Sequence, residues 1–187
     1  MDSYIYTYLM NKFDNNENVA KSYALRMLVH FVGDIVQPLH SMSRYNTEYP
    51  KGDAGANGFK LKRRYGVSSL HSLWDKVLYK ERNNIRRPFT EDTWTSFTRT
   101  VDRIFEMNAE AVSDPDVYQS TDIESWTQES HEIAKALYAG LTEYESVPQS
   151  YIDEHLDTAY QQILIGGYRL AYLLDYIFNI LQPTIES

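Results

Sequence analysis

Cysteine is absent from this sequence of 187 residues. Its absence excludes a disulfide framework, a thiolate metal site and a thiol nucleophile. If the protein binds a metal ion, the side chains of histidine, aspartate and glutamate must therefore hold it.

Long apolar runs are also missing. No stretch approaches the roughly 18 consecutive apolar residues that a membrane-spanning helix needs. The residues from Met1 to Asn18 are polar and acidic, whereas a secretory signal is basic and then apolar. We therefore expect neither a membrane span nor an export signal in this chain.

Basic residues are in deficit. The sequence has 18 lysines and arginines against 26 aspartates and glutamates, which gives a net charge of −8. This balance argues against a protein that binds nucleic acid mainly by counterion release. It does not exclude a metal-dependent enzyme, because bound divalent ions can supply the positive charge that meets a phosphate.

The apolar pattern predicts an all-α fold in a single domain over residues 1–187. The first helix should run from Val19 to Val36 and end before Pro38, with a buried stripe of Leu25, Leu28, Val29, Val32 and Val36. Further helices are predicted from Ser68 or Ser69 to about Tyr79, from Glu91 to about Ala111, from Ile123 to Leu141 and from Tyr151 to Leu181. Residues 43–58 predict an irregular loop, and the one convincing strand signal is the alternation from Phe59 to Lys62.

Three of the five histidines stand at regular spacing from two aspartates. His30 lies four residues before Asp34, and His71 lies four residues before Asp75. Four residues advance a helix by about 400° and 6 Å, so each pair emerges from one helix face. Each pair can therefore reach one ion or two adjacent ions.

Pro38 allows the chain to turn after the first pair and bring His40 back beside Asp34. Histidine and carboxylate ligands without sulfur suit zinc at about 2.0–2.2 Å, and a site with three protein ligands leaves a place for water. A single histidine on an apolar helix face is more often a core residue than a metal ligand. Taken one at a time, His30, His40 and His71 each leave this alternative open. The repeated pair favours a metal site, because an aspartate among leucines and valines is costly to bury unpaired.

Two segments resemble the metal motifs of the class I zinc nucleases, a family of single-strand-specific enzymes related to phospholipase C. The first runs from Leu28 to His40 (LVHFVGDIVQPLH), and the second runs from Leu70 to Asp75 (LHSLWD). Residues 52–57 (GDAGAN) are similar to the family's Asp-x-Gly-Gly-Asn loop, and residues 166–171 (GGYRLA) are similar to a motif in its last long helix. The resemblance covers the carboxyl-terminal two-thirds of the family pattern and implies a helical bundle with a short β-hairpin near the metal site.

The resemblance implies a trinuclear zinc centre. It assigns His40, His71 and Asp75 as the complete protein ligand set of one zinc. It assigns His30 and Asp34 to a pair of zincs that Asp34 bridges, and it makes Asp34 the catalytic candidate. The family completes this pair with an amino-terminal tryptophan, two histidines and an aspartate that have no counterpart here. We therefore expect a fragment, a misjudged gene start or a shortened relative, with one complete zinc site and impaired hydrolysis.

The glycine-rich loop and the strand after it supply the candidate substrate-binding residues, which are Asp53, Gly55, Asn57 and Lys60. A basic cluster beside Phe59 and Tyr65 can meet a phosphate backbone, although a solvated hairpin explains its charges equally well; its members are Lys60, Lys62, Arg63 and Arg64. Ala56 replaces the second glycine of the family loop, which can restrict the backbone there.

Other residues have simpler interpretations. His131 and His155 lie on polar helical patterns without a companion at metal-ligand spacing, so both are predicted at the surface. Val36 stands where the family usually has a histidine that is not a ligand. The tyrosines of the last helix are predicted to pack in the core, and they are Tyr160, Tyr168, Tyr172 and Tyr176.

The function implied by the resemblance is that of a zinc-dependent endonuclease that hydrolyses single-stranded DNA and RNA by metal-bound hydroxide. A monomer is expected, and the resemblance implies a secreted or lysosome-like location. Two alternatives remain open, a phospholipase C-like phosphodiesterase and a non-catalytic zinc-binding helical remnant. The glycine-rich loop and the basic cluster favour the nuclease over the phospholipase.

Overall fold

A computed structural model describes residues 3–80 and 88–181 of the chain. The helices are α1 (Ser3–Lys12), α2 (Glu17–Ile35), α3 (Leu70–Asp75), α4 (Glu91–Asn108), α5 (Ile123–Ala134) and α6 (Gln149–Leu181). The strands are β1 (Lys60–Arg64) and β2 (Val67–Ser69), and short 3₁₀ helices span Pro38–Ser41, Val77–Tyr79, Ala109–Val112 and Pro115–Val117. The predicted all-α fold with a short hairpin is confirmed, whereas α1 was not predicted.

The carboxyl-terminal part of α2 is buried as its apolar spacing predicts. Val32 is 1% exposed and packs with residues of α5 and α6, and Val36, directly after the helix, is 6% exposed. The amino-terminal part of the predicted stripe is not buried, since Leu25 and Val29 are 41% and 43% exposed. The prediction of a fully buried stripe is therefore wrong at Leu25 and Val29.

Side chains cap the helices at the predicted positions. Ser69 accepts a hydrogen bond from the N–H of Ser72 at 3.2 Å and begins α3 in a capping box. Thr90 accepts one from the N–H of Thr93 at 3.2 Å and begins α4. Helix starts are therefore well predicted, because each is set by contacts within one turn.

Helix ends differ more from the prediction. α3 ends at Asp75 instead of Tyr79, and the backbone φ angles of Leu78 and Tyr79 are +50° and +71°. Leu78 is fully buried and Tyr79 is 8% exposed, so burial of these side chains outweighs helical propensity. α4 and α5 also end early, at Asn108 and Ala134, and α4 continues as a 3₁₀ helix.

The hairpin forms one wall of the main core. β1 and β2 pair antiparallel, and the turn between them, Tyr65–Gly66, has φ angles of +51° and +78°, as a two-residue hairpin requires. Leu61 and Val67 are buried beneath the hairpin, while the other β1 side chains are exposed. The predicted strand is confirmed with its ends shifted, and β2 was not predicted.

α6 packs against α2 and α4. A Cβ atom on Gly166 would lie 2.8 Å from Cγ2 of Val36, so this glycine permits the close approach of α6 to the end of α2. Among the α6 tyrosines, Tyr160 is 1% exposed as predicted, whereas Tyr176 is 50% exposed. The core prediction is therefore wrong for Tyr176, near the end of the helix.

Candidate metal centre

The 3₁₀ helix after α2 and the short helix α3 bring together His40, His71 and Asp75. One ligand atom from each lies within 4.8 Å of the other two. Nε2 of His40 is 3.6 Å from Oδ1 of Asp75, and Nε2 of His71 is 3.5 Å from Oδ2. The two imidazole rings are stacked with their centroids 4.9 Å apart. Two nitrogen atoms and one carboxylate thus converge on one position, as a three-ligand zinc site requires.

Gln37 positions His40 and Asp75 together. Its side-chain oxygen accepts a hydrogen bond from the N–H of Leu39 at 2.6 Å, which caps the 3₁₀ helix. Its Nε2 donates to Oδ1 of Asp75 at 3.0 Å. Pro38 occupies the first position of the helix, where an N–H is not needed. Gln37 therefore joins the segment that carries His40 to the helix that carries Asp75.

The glycine-rich loop orients His71. Nδ1 of His71 lies 2.7 Å from the carbonyl oxygen of Gly55. Because a carbonyl only accepts hydrogen bonds, Nδ1 carries the proton and the lone pair of Nε2 is left for a metal ion. Gly55 has a φ of +63°, and a Cβ atom there would lie 2.4 Å from the carbonyl oxygen of Leu39. Glycine is thus required at this position by both conformation and space.

His30 and Asp34 adjoin this group. Nε2 of His30 lies 3.2 Å from Oδ2 of Asp34, and Nδ1 of His40 lies 3.6 Å from Oδ1 of Asp34. The side chain of His30 is 61% exposed, and that of Asp34 is 41% exposed. The structure therefore brings all the predicted metal-ligating residues into one continuous cluster, with Asp34 between two imidazoles.

Two groups of this cluster, His40 and Asp75, have shifted pKa values that favour their ionised forms. The hydrogen bond to Asp75 raises the pKa of His40 against the effect of burial, and the charge of Asp34 raises it further. Burial opposes the charge on Asp75, but its hydrogen bonds to His40 and Gln37 outweigh this effect and lower its pKa. A metal ion that binds here would compete with a proton for His40.

Two cavities open beside the cluster. The larger, of about 500 Å³, is lined by Asp34, His40 and His71 and by apolar side chains that include Phe31 and Leu39. The smaller, of about 240 Å³, also contacts Asp34 and His40 and extends to α6. A substrate in the larger cavity would therefore contact both Asp34 and the three-ligand group.

Known proteins are similar in sequence to this chain. The sequence pattern of the S1/P1 nuclease family matches residues 3–179. The chain belongs to the S1/P1 nuclease family. Endonuclease 2 of Arabidopsis thaliana is 28% identical over 174 residues, which cover 83% of this chain and 52% of the relative. Nuclease P1 of Penicillium citrinum is 27% identical over 169 residues, which cover 84% of this chain and 57% of the relative. The chain thus spans about half the length of these S1/P1 relatives.

The predicted substrate-binding residues of this S1/P1 chain lie in different environments. Asp53 has a fully buried side chain, and Gly55 belongs to the metal centre through its carbonyl group. Asn57 and Lys60 are exposed, with the Asn57 side chain donating to the carbonyl of Ala54 at 3.0 Å and Nζ of Lys60 donating to the carbonyl of Asn57 at 2.7 Å. Substrate contact stays a prediction for these residues, and the burial of Asp53 supports a structural role instead.

Other residues of the S1/P1 centre were not singled out by the sequence. Gln37 lies inside the first metal motif, and its position beside Pro38 is the signal that identifies it as a cap. Tyr138 contacts Asp53 from 85 residues away and Arg44 contacts it from nine residues away, and neither spacing gives a signal. Such contacts depend on tertiary packing alone.

The surface prediction is wrong for two histidines. His131 is half-buried, and its Nδ1 lies 2.9 Å from the carbonyl oxygen of Ser41. His155 is half-buried against the ring of Tyr151, at a centroid distance of 4.3 Å. Both lie outside the one group of three side chains among the described residues that could hold a metal ion. Within the same residues, none of the helices is both long and apolar enough to cross a membrane.

Proposed function

We propose that this protein is a zinc-dependent nuclease that hydrolyses phosphodiester bonds of single-stranded DNA and RNA. The observation that carries the proposal is the convergence of His40, His71 and Asp75 beside the carboxylate of Asp34. Membership of the S1/P1 nuclease family and the names of the relatives, Endonuclease 2 and Nuclease P1, support it.

The residues of the centre fit a zinc ion. They offer two imidazole nitrogens and one carboxylate oxygen, a sulfur-free donor set that zinc accepts. The hydrogen bond from Nδ1 of His71 to the Gly55 carbonyl fixes the ring so that Nε2 faces the other ligands. We assign His40, His71 and Asp75 as the ligands of one zinc, and His30 and Asp34 as ligands of the remaining zinc positions.

Zinc at such a site supplies Lewis acidity, which polarises a phosphoryl oxygen and makes water a better nucleophile near neutral pH. Asp34 lines the larger cavity, and its carboxylate can take the proton of an attacking water molecule. Nε2 of His30 and Nδ1 of His40 lie on either side of the Asp34 carboxylate, at 3.2 and 3.6 Å. We therefore assign the catalytic role to Asp34.

The loop and the hairpin are our candidates for holding the substrate backbone. Lys60 lies next to Asn57 on the exposed side of the loop, and the basic side chains of β1 continue from there. This protein is acidic as a whole, but a cationic edge of this kind can hold a phosphate of the substrate close to the metal centre. Because the chain resembles exported zinc nucleases, we also propose that the protein acts outside the cytoplasm. We further propose that it is a monomer.

The test is hydrolysis of a fluorogenic single-stranded oligonucleotide in the presence of zinc. Asp34→Asn keeps the size of the side chain but removes its charge, and we expect a rate loss of at least ~100-fold, as for loss of a general base. Asp157→Asn, at an exposed carboxylate of α6, is the matched control and should leave the rate unchanged. A chelator should abolish hydrolysis, and added zinc should restore it.

The same assay separates the alternatives. RNA and double-stranded DNA of the same sequence test the strand preference, and phosphatidylcholine vesicles test the phospholipase alternative. Hydrolysis of the lipid alone would replace the nuclease with a phospholipase C-like function. Zinc binding without hydrolysis of any of these substrates would show a non-catalytic zinc-binding protein and overturn the proposal.

A further inference from the structure

The carboxylate of Asp53 is buried and bonded on both oxygens. Oδ1 accepts hydrogen bonds from the backbone N–H groups of Arg44 and Ala56, each at 3.0 Å. Oδ2 accepts one from the hydroxyl of Tyr138 at 2.7 Å. The side chain of Asp53 is 0% exposed, so it cannot contact a substrate without rearrangement of the loop. Its partners are all groups of this protein.

These hydrogen bonds stabilise three consecutive residues with an unusual backbone conformation. Ala54, Gly55 and Ala56 follow Asp53 with φ angles of +53°, +63° and +63°. Two of these residues carry a Cβ atom, and such residues rarely adopt the left-handed region unless neighbouring contacts impose it. The bond from the N–H of Ala56 to the Asp53 carboxylate is a contact of this kind, because it spans the whole run.

The same run holds His71. The carbonyl oxygen of Gly55 faces Nδ1 of the His71 ring at 2.7 Å, and the carbonyl oxygen of Ala56 accepts a hydrogen bond from the backbone N–H of His71 at 3.4 Å. The direction of the Gly55 carbonyl depends on the torsions between Asp53 and Ala56. A change in the Asp53 contacts is therefore transmitted to the ring of His71 through one peptide segment.

We propose that Asp53 and Tyr138 form a positioning pair that sets the orientation and the tautomer of His71. Asp53 fixes the loop from inside the core, and Tyr138 fixes the second oxygen of Asp53 from the segment after α5. The ring of Tyr138 also stacks on the guanidinium of Arg44, at 4.4 Å from its centroid, which keeps the hydroxyl aligned. The inference rests on the proposed function in one respect, because the orientation of His71 serves metal binding only if this ring is a ligand. The effect of the pair on the His71 ring does not require a bound metal ion.

The variants separate positioning from simple packing. Tyr138→Phe removes only the hydroxyl and keeps the ring that contacts Arg44 and Phe59. Asp53→Ala removes both acceptor oxygens, and Asp53→Asn restores one acceptor for the two backbone N–H groups. Tyr49→Phe is the matched control, because the Tyr49 hydroxyl bonds to Glu143 and to the Gly58 carbonyl of the same loop but not to Asp53.

The first measurement is the ¹⁵N spectrum of the His71 ring in metal-free protein at about pH 8. The wild-type protein should show a single tautomer with the proton on Nδ1. Asp53→Ala and Tyr138→Phe should show a mixture of tautomers, while Asp53→Asn and Tyr49→Phe should remain close to wild type. Circular dichroism confirms that each variant is folded; if Asp53→Ala is not, Tyr138→Phe decides the outcome.

The second measurement is the dissociation constant for zinc, by competition with a chromophoric chelator. Asp53→Ala should weaken binding by ~10-fold, the lower end of the range for residues that support a metal ligand indirectly. If Asp53→Ala and Tyr138→Phe show mixed tautomers but the wild-type protein binds no zinc, the zinc nuclease proposal is refuted and the positioning pair is supported. A single Nδ1–H tautomer in folded Asp53→Ala and Tyr138→Phe would overturn the positioning pair, whatever the zinc affinity.

Discussion

The carbonyl oxygen of Gly55 lies 2.7 Å from Nδ1 of His71, and this contact joins the glycine-rich loop to the metal centre. It leaves Nε2 of His71 as the only ring nitrogen that can bind a metal ion. The contact also depends on a residue without a side chain, since a Cβ atom on Gly55 would lie 3.3 Å from Nδ1 itself.

We predict that Gly55→Ala weakens zinc binding by about 10- to 100-fold, the usual effect of disturbing a residue that holds a metal ligand. The new methyl group would lie 2.4 Å from the Leu39 carbonyl, so the loop must move away from His71. Gly140→Ala is the control for backbone strain alone, because Gly140 has a φ of +71° but no atom within 4 Å of the added Cβ. Equal zinc affinity in both variants would contradict the assigned role of Gly55.

The protein should bind about one zinc ion tightly, through His40, His71 and Asp75, because this ligand set is complete within the chain. Metal analysis after dialysis measures the content. The double variant His71→Ala, Asp75→Ala should lose the ion, whereas His155→Phe, which removes an imidazole outside the centre, should keep it. Equal zinc content in the wild type and the double variant would show that the ligands are wrongly assigned.

His30 should matter less than His71 for this tightly bound ion. The ring of His30 is largely exposed and contacts Asp34, but it is not one of the three converging ligands. We therefore expect His30→Ala to lower the zinc content less than His71→Ala under the same dialysis. Equal losses would mean that the two histidines serve the same ion.

The convergence of His40, His71 and Asp75 could be predicted from the sequence because the geometry of these residues is local. A spacing of four residues on a helix is enough to place His71 and Asp75 on one face, and Pro38 explains the turn that returns His40. Capping also acts within a few residues, so the starts of α3 and α4 were predicted well.

The remaining features depend on packing between distant segments. Tyr138 reaches Asp53 across 85 residues of sequence, and no periodicity indicates that contact. The predicted end of α3 was wrong because Leu78 and Tyr79 bury their side chains while their backbone leaves helical geometry. The exposure of Leu25 and Val29 could not be predicted either, because an apolar stripe shows that a face can be buried but not what covers it.

Arg169 should stabilise the junction of α5 and α6. It is 2% exposed, its Nε donates to the Val117 carbonyl at 3.1 Å, and its guanidinium pairs with Glu129 and stacks on the ring of Trp126. We predict that Arg169→Leu lowers the free energy of unfolding by about 2 kcal/mol, because the Val117 carbonyl loses its partner. Arg99→Leu, at an exposed position of α4, is the control in urea denaturation. A similarly small change in both variants would contradict the prediction.

His155 should make the protein sensitive to mild acid. Burial against Tyr151 and Trp74 lowers its pKa from the ordinary value of 6.5. In the window between the folded pKa and 6.5 the unfolded chain binds more protons than the folded protein, so stability falls as the pH falls through this window.

His155→Phe keeps a ring in place and removes the titration. The stability of the wild type relative to His155→Phe, measured by urea denaturation from pH 7.5 to 5, should therefore decline with acid. The comparison cancels the opposite contribution of His40, whose raised pKa stabilises the metal-free fold at low pH. A difference that stays constant over this range would show that folding leaves the pKa of His155 unchanged. A difference that grows in favour of the wild type at low pH would show that folding raises this pKa, and either result would contradict the prediction.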